Sequence, residues 1–571
     1  MKNKTIKPEK IFEHAHNLWR QKNKDIVGRF LAKVHNHNDI FKLACDVINE
    51  NTFDLFQVLH LVGDALPFIT SLNAENLIEL CRVQHPKTCN DYASGVFPNK
   101  LEVRLRDDIN VCSDIINLLK VSLTEETSSI YNVAVIAWAK KEPDIVINLI
   151  LETVFNGSDF LAQNNIWLLG RLARLQCVSD KHKDAVWDKF NRGLSSQDTS
   201  IKNATIQALA EASIEWINAT KKLLELGEAK DDTALAFIAD LLFRNDEAIR
   251  HQGLFEPLLN CLLYIKPSAK GAIQNFDYVL QKIAEGGDIE LAISYIENWV
   301  KNNDSRKLNI KILECFDNVF YKLFESPNVI SNLVTKWLTK ESMCYVLFVK
   351  EILEKLSVSK ANNLIFDLDI VKNMNDKDFL FFIKRCLGVI INEEQAISSF
   401  SSLLIPEIID NKYGLLFELF TEELGLDYPI LTIEKLNNIS LSEQNGKIKK
   451  LCEDASSFIN NYMSALDVLP EIQELKPSKN MKEAFHKAEN KRMQKSMEEG
   501  EKKSIVRQIC AVVPIKAGIA NFSLLEGNYS EPTGYMEFSS GFTLPRRFVL
   551  NSADYECRRS CLINVRKEKQ G

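Results

Sequence analysis

Three basic doublets and an adjacent aromatic residue lie near the C-terminal end of the sequence: Arg546, Arg547, Phe548, Arg558, Arg559, Arg566 and Lys567. Guanidinium groups bind phosphate through paired hydrogen bonds, and an aromatic face can stack on an unpaired base. These seven residues are therefore candidates for contact with nucleic acid or with a protein partner. The alternative is that they pair with acidic residues of the same chain.

The charge distribution separates this region from the rest of the chain. From Lys476 onward there are 18 basic and 11 acidic residues, whereas the preceding residues include 52 basic and 66 acidic ones. The whole chain has a net charge of −7, which gives no overall nucleic-acid signature. A basic end on an acidic body is compatible with an external partner and with internal pairing.

Cys81, His85 and Cys89 come closest to the spacing of a metal site. Two thiolates and an imidazole could bind zinc if a fourth ligand were supplied from elsewhere. However, Cys81 continues an apolar run, and Pro86 predicts a break in the helix between the candidates. We therefore expect chance spacing and predict no metal site.

Sequence motifs for catalysis and cofactor binding are absent. The sequence has no glycine-rich dinucleotide or nucleoside-triphosphate loop, no Gly-x-Ser-x-Gly and no His-Glu-x-x-His. His182, His251 and His486 lie in polar segments and are expected at the surface. The sequence thus predicts no catalytic or cofactor-binding residues, and the chain is not expected to be an enzyme, although unfamiliar catalytic motifs remain an alternative.

The composition favours helices. Glycine contributes 21 and proline 15 of 571 residues, about 4% and 3%, against usual values of roughly 7% and 5%. Helical periodicity extends from about residue 10 to residue 470. Ser326 and Pro327 predict a capped helix start, as does the pattern from Ser440 to Glu443, which is that of a capping box.

Short polar joints separate the predicted helices: Gln197-Asp198, Lys230-Asp231-Asp232, Asn302-Asn303-Asp304, Asn375-Asp376 and Asn392-Glu393. Such joints favour antiparallel helix pairs, each of which takes roughly 40 residues. A single pair leaves an apolar face exposed, and the next pair can bury it. Repeated stacking predicts a helical solenoid, and irregular helical packing is the alternative.

Residues 201–210 include Ala204, Ala208 and Ala210 and resemble the second helix of a HEAT-like repeat, in which small residues allow close helix approach. Residues 164–175 look similar. The resemblance is to the HEAT-like and armadillo-like α-solenoids. It implies an all-α fold, an irregular HEAT-like α-solenoid, and a protein-binding scaffold role; some members of these families bind nucleic acid.

The character of the sequence changes beyond residue 475. We predict a solenoid over residues 1–475, a basic helical linker over 476–508, and a small β-rich C-terminal module over 509–571. The predicted strand segments of this module are residues 509–513, 519–525, 535–538 and 548–550. A module of this size has a marginal core alone, so we expect it to dock on the solenoid or on a partner.

These observations favour a non-catalytic scaffold or adaptor subunit that binds a protein partner. The lysine- and asparagine-rich composition suggests a multi-protein assembly of prokaryotic type. The alternative is a nucleic-acid-binding accessory protein that uses residues 476–571. Thirteen cysteines in mostly apolar surroundings, with no signal peptide and no membrane-spanning stretch, predict a cytoplasmic protein.

Overall fold

The computed structural model describes residues 7–20, 24–88, 95–303, 311–358, 364–470, 478–503, 514–517, 520–525, 528–529, 533–534 and 544–567. Most of these residues lie in helices, so the predicted all-α class is confirmed. None of the described helices is long and apolar enough to cross a membrane. The chain divides into two compact units, Met1–Glu325 (unit 1) and Ser326–Gly571 (unit 2), a boundary that the sequence analysis does not predict.

Unit 1 is a succession of helices. These are α1 (Pro8–Arg20), α2 (Lys24–His35), α3 (Ile40–Glu50), α4 (Leu55–Ala65), α5 (Ala74–Thr88), α6 (Val96–Leu105), α7 (Ile109–Leu119), α8 (Glu125–Ala139), α9 (Pro143–Thr153), α10 (Asp159–Arg174), α11 (Asp180–Leu194), α12 (Thr199–Ala212), α13 (Ile217–Glu228), α14 (Asp232–His251), α15 (Phe255–Cys261), α16 (Lys270–Glu285), α17 (Ile289–Asn302), α18 (Ile312–Cys315) and α19 (Asp317–Leu323). Single 3₁₀ turns, Leu66–Phe68 and Leu262–Tyr264, follow α4 and α15.

Helices that alternate along unit 1 pack side by side. In one layer α2 contacts α4, and the series continues through α6, α8, α10, α12, α14, α16 and α19. On the other side α1 contacts α3, α3 contacts α5, and α5 contacts α7. Because the helices are amphipathic, this arrangement buries their apolar faces between the two sets.

Side-chain hydrogen bonds connect helices that are distant in sequence and adjacent in the fold. Tyr131 Oη donates to Asn165 Oδ1 at 3.1 Å, 34 residues along the chain. Trp299 Nε1 donates to the carbonyl oxygen of Ile265 at 2.9 Å, also 34 residues away. Others range from 29 residues, between Lys202 and Asp231, to 45 residues, between Arg385 and the carbonyl group of Lys340. These separations are of the order of the roughly 40 residues expected for one helix pair.

Unit 2 contains the helices α20 (Pro327–Leu338), α21 (Met343–Val358), α22 (Leu368–Lys372), α23 (Asp376–Val389), α24 (Glu393–Ser401), α25 (Pro406–Glu418), α26 (Gly425–Asp427), α27 (Pro429–Ser442), α28 (Gly446–Asp467), α29 (Lys479–Lys503), α30 (Arg546–Leu550) and α31 (Ser552–Ile563). A π-helical turn, Leu419–Leu424, connects α25 to α26. Helix α29 lies within the predicted linker, and its described side chains are exposed.

Short strands occur between α29 and α30: β1 (Pro514–Ala517), β2 (Ala520–Leu525), β3 (Asn528–Tyr529) and β4 (Thr533–Gly534). Strands β1, β3 and β4 each pair with β2 in the antiparallel direction. The β1–β2 register runs from Pro514 opposite Ser523 to Ala517 opposite Ala520.

The predicted strand segments have different outcomes. Residues 519–525 overlap β2, whereas residues 509–513 and 535–538 lie outside the described residues. The strand predicted at 548–550 is wrong, because these residues end the helix α30. Three apolar residues in succession suit a short strand and a helical turn equally well. In this chain they form a helical turn that contacts α26.

Four of the five predicted polar joints form helix caps; in the fifth, Asn302 ends α17 and Asp304 lies outside the described residues. Asp231 accepts hydrogen bonds from two backbone amides at the start of α14, at 3.0 and 3.1 Å. Asp198, Asn375 and Asn392 cap the helices that follow them in the same way. These short carboxylate and amide side chains satisfy amides that the first helical turn leaves unpaired.

Three other local predictions have mixed outcomes. The helix start predicted at Pro327 is confirmed, because α20 begins there, but the side chain of Ser326 makes no capping hydrogen bond. Ser440 is buried near the end of α27, where its hydroxyl lies 3.1 Å from a carboxylate oxygen of Glu453, so it does not open a helix. Pro86 lies inside α5, close enough to its C-terminal end that the helix continues for only two more residues.

Gly170 of α10 and Ala208 of α12 lie at a close helix contact. A Cβ atom added to Gly170 would lie 2.3 Å from the carbonyl oxygen of Ala208. The expectation that small residues mark close helix approach is therefore confirmed at this contact. Even one methyl group would force the two backbones apart.

We predict that Gly170→Ala destabilises the protein by about 2–3 kcal/mol, because the added methyl group overpacks the α10–α12 contact. Gly271→Ala is the matched control, since nothing lies within 4 Å of the Cβ position at Gly271, in the first turn of α16. The control variant should be neutral or slightly more stable. Thermal and urea unfolding of both variants provide the measurement, and equal stability of the two would contradict the close contact.

Candidate functional site

The C-terminal helices pack on other helices of unit 2. Helix α31 lies on α23, and α30 contacts α26. At Gly388 of α23, an added Cβ atom would lie 2.9 Å from the backbone nitrogen of Ile563 at the end of α31. The region expected to dock on the solenoid or on a partner therefore contacts helices of its own chain. We call α30, α31 and the residues up to Lys567 the C-terminal clasp.

Two of the predicted arginines meet at one carboxylate. Arg547 Nη1 lies 3.1 Å from Glu423 Oε2, and Arg558 Nη2 binds both carboxylate oxygens of the same residue. Arg547 also donates to the backbone carbonyl of Glu422. These side chains are only partly exposed, so the charge-assisted hydrogen bonds are less screened than a fully solvated pair.

Asp427 is the second acidic residue beneath the clasp. Its side chain is 14% exposed, and Oδ1 lies 3.7 Å from Arg547 Nε without a hydrogen-bond partner among the described residues. Burial raises the pKa of Asp427 from 3.8 to about 6; the charge of Glu423 raises it further, while Arg547 and Arg558 oppose the shift. Desolvation therefore outweighs attraction to the arginines at this carboxyl group.

Arg385 of α23 connects the clasp to the interior of unit 2. Its side chain is buried, and its guanidinium group donates to the carbonyl oxygens of Lys340, Glu341 and Val565, the last two at 2.8 and 3.4 Å. The same group lies 4.4 Å from the ring centroid of Phe381. Burial lowers the pKa of Arg385 to about 10, so the group keeps its charge at neutral pH.

Two more of the predicted basic residues also bind α23. Arg559 Nε donates to the carbonyl oxygen of Gly388 at 2.9 Å. Lys567 Nζ lies 2.8 Å from Asp378 Oδ1, and this contact lowers the pKa of Asp378. Both basic side chains are thus bound to oxygen atoms within unit 2.

The remaining predicted residues are more dispersed. Arg546 contacts the sulfur atom of Met463, and Phe548 packs edge-to-face on Tyr555 with ring centroids 5.8 Å apart. Arg566 is exposed. Of the seven residues, Arg547 and Arg558 thus converge on Glu423, and Arg559 and Lys567 bind α23.

An apolar groove of about 400 Å³ lies beside the clasp. Its lining comes from α23, from α25 with the π-helical turn, and from α31: Leu380, Ile383, Lys384, Leu387, Leu415, Glu418, Leu419, Glu422, Glu423, Arg558, Cys561, Leu562 and Val565. Leucine, isoleucine and valine side chains supply most of this lining, and Lys384, Arg558 and the three glutamates are its charged residues. We call this feature the clasp groove.

No pattern in the sequence identifies Glu423 as the acceptor of these arginines. Glu423 is separated from Arg547 and Arg558 by 124 and 135 residues, and no local pattern connects positions so far apart. The only indication in the sequence was the opposite net charge of residues 1–475 and residues 476–571. That signal supported internal pairing as an alternative but did not identify the acceptors.

The candidate zinc ligands do not form a site in the described part of the chain. Cys81 is fully buried inside α5, and burial raises the pKa of its thiol to about 12, which favours the protonated form. Cys89 lies outside the described residues. The described residues contain no cluster of histidine, cysteine and acidic side chains that could hold a metal ion.

His182 is buried rather than exposed as expected. Its Nε2 atom lies 3.3 Å from Asp144 Oδ1 but makes no hydrogen bond in the described structure. The hydroxyl of Ser179 donates to the same carboxylate oxygen at 3.1 Å. Because the hydroxyl is bonded to the carboxylate and not to the imidazole, this group lacks the serine-to-histidine contact of a nucleophilic triad.

We predict that Glu423→Ala loosens the clasp, because Arg547 and Arg558 lose their shared acceptor. Amide hydrogen exchange over residues 546–563 should accelerate about tenfold. Glu556→Ala is the control, since the 57% exposed side chain of Glu556 pairs with Arg559 of the same helix, at 3.7 Å. Unchanged exchange in the Glu423 variant would show that the pairing does not hold the clasp.

A second prediction concerns the pH dependence of stability. The pKa of Asp427 is about 6 in the folded chain and 3.8 when the group is solvated. The contribution of this group to the free energy of unfolding is therefore greatest below pH 4 and is lost as the pH rises through 6. This loss amounts to about 3 kcal/mol. Asp427→Asn should therefore be more stable than the wild type at pH 7.5 and similar to it near pH 4.

Urea unfolding of both proteins at the two pH values measures this difference. A variant that is less stable than the wild type at pH 7.5 would mean that attraction to Arg547 outweighs desolvation. The measurement therefore distinguishes the two effects acting on this carboxyl group.

No protein-family model matches this sequence, and no curated protein is similar to it. A function for this chain is therefore inferred from its geometry. In unit 2 that geometry includes the clasp groove, which is lined by apolar and charged side chains.

Proposed function

We propose that this chain is a non-catalytic scaffold or adaptor subunit, built as a HEAT-like α-solenoid, that binds a protein partner through unit 2. The alternate packing of helices and the side-chain hydrogen bonds between helices, which span 29 to 45 residues, support the solenoid assignment. The single observation that carries the binding role is the clasp groove. We place the chain in a cytoplasmic multi-protein assembly of prokaryotic type.

The apolar lining of the clasp groove has the properties of a protein-binding surface. Leu380 is 38% exposed, and Leu387 and Leu415 are half-buried, although all three lie on well-formed helices. Contiguous apolar side chains at the surface with a charged rim are typical of protein interfaces. Covering these leucines would remove apolar area from water and would stabilise a complex.

The alternative derived from the sequence, nucleic-acid binding through residues 476–571, stays a prediction. Arg547, Arg558, Arg559 and Lys567 already bind acceptors in unit 2. A phosphate group would have to compete with these contacts. This competition is the reason to place protein binding first.

We predict that a tagged full-length chain recovers a protein partner from its native host and that Leu380→Glu reduces the recovery at least tenfold, because a buried carboxylate would be left in the interface. Ile430→Glu is the matched control, since Ile430 is 79% exposed on α27 and lies outside the groove lining. Quantitative mass spectrometry of the recovered material, after nuclease treatment, provides the readout.

Recovery of a lone monomer in repeated experiments would exclude the scaffold role. Equal loss in the two glutamate variants would mean that the groove is not the binding surface. Circular dichroism and thermal unfolding of both variants establish that they are folded.

A further inference from the structure

The chain's own α31 forms one wall of the clasp groove. Arg558 of α31 binds Glu423, and Leu562, one turn further along, contributes to the apolar lining together with Val565. The arginine of this wall is therefore already paired, and the side chains that the wall offers to a ligand are mainly apolar.

The other walls of the groove are also apolar. Helix α23 supplies Leu380 and Leu387, and α25 supplies Leu415. Leu380 and Leu387 are seven residues apart, which places them on one face of α23 at a separation of two turns. An amphipathic helix can lay its own apolar face along such a row.

Two acidic side chains of the groove lining have no partner in the described structure. Glu418 and Glu422 are exposed, lie four residues apart, and have no ion pair or side-chain hydrogen bond in the described structure. Glu423 is already paired with Arg547 and Arg558, and Lys384 is the basic residue that lines the opposite wall. The carboxylates without a partner therefore outnumber the lysine, and they would attract a cationic ligand.

We propose that the clasp groove binds a basic amphipathic helix of a protein partner beside α31. The apolar face of that helix lies on Leu380, Leu387 and Leu415, and its lysine or arginine side chains pair with Glu418 and Glu422. This inference rests on the proposed scaffold function and specifies the chemistry of its partner. Nucleic acid does not fit this site, because the unpaired carboxylates repel phosphate.

Two exposed cysteines on α31 allow the position of a bound helix to be measured. Cys561 lines the groove, whereas Cys557, one turn earlier, is exposed but outside the lining. A helix in the groove covers the first thiol and leaves the second accessible. Alkylation of the two residues, followed by mass spectrometry, therefore gives a site-specific signal with an internal control.

The probe is a synthetic amphipathic peptide of about 18 residues, with leucine along one face and lysine and arginine beside it. A matched peptide carries glutamate at every basic position. We expect the full-length chain to bind the basic peptide at least tenfold more tightly in fluorescence anisotropy. At saturation, alkylation of Cys561 should slow at least fivefold while that of Cys557 is unchanged.

The double variant Glu418→Lys and Glu422→Lys should weaken binding of the basic peptide about tenfold, as expected for two surface ion pairs. Glu434→Lys, an exposed position on α27 outside the groove, should leave it unchanged. Equal binding of the acidic and basic peptides would overturn the proposal, as would full reactivity of Cys561 at saturation.

The two proposals fail in different ways. If a partner is recovered and lost with Leu380→Glu, but the basic peptide does not bind, the scaffold function holds and the assignment of a basic helix is wrong. If no partner is recovered, the scaffold function fails whatever the peptide does.

Discussion

An amphipathic helix pair cannot bury its apolar face alone, and this constraint underlies the packing within each unit. In unit 1, alternate helices cover one another, so that each pair supplies the cover for its neighbour. The contact between Gly170 and Ala208 illustrates the result, because only a glycine allows α10 to approach α12 so closely. Close approach excludes water and increases the number of dispersion contacts along the helices.

Apolar packing alone would allow neighbouring pairs to slide, and buried polar groups restrict that freedom. Asp277 is 2% exposed and accepts hydrogen bonds from the backbone amides of Asn318 and Val319, at 2.9 Å each, which caps α19 from a different helix. Burial raises the pKa of Asp277, and these hydrogen bonds oppose the shift. A displaced register would leave such groups unsatisfied in the interior, which costs about 1–3 kcal/mol for each group.

The clasp extends the same principle to the end of the chain. The buried guanidinium group of Arg385 donates hydrogen bonds to the carbonyl oxygens of Lys340 and Glu341 and to that of Val565 in the clasp. One cation thus provides hydrogen bonds to carbonyl groups from two separate segments of the chain. Arg547 and Arg558 are likewise used to hold the clasp on Glu423. These arginines are therefore bound within unit 2 and do not form a free basic tail, whereas Glu418 and Glu422 beside them are exposed.

The sequence by itself determined the helical class, the approximate length of a helix pair and several helix starts, because polar caps such as Asp231 and Asn392 and the apolar period are properties of neighbouring residues. The sequence also contained the basic doublets, for which it left open contact with an external partner or pairing with acidic residues of the same chain. Only the tertiary structure decided that Ser440 lies at the end of a helix, that residues 548–550 are helical, and that Arg558 meets Glu423. The physical reason is range: a cap acts within one turn, whereas the partner of a charged side chain 135 residues away depends on how all the intervening helices pack.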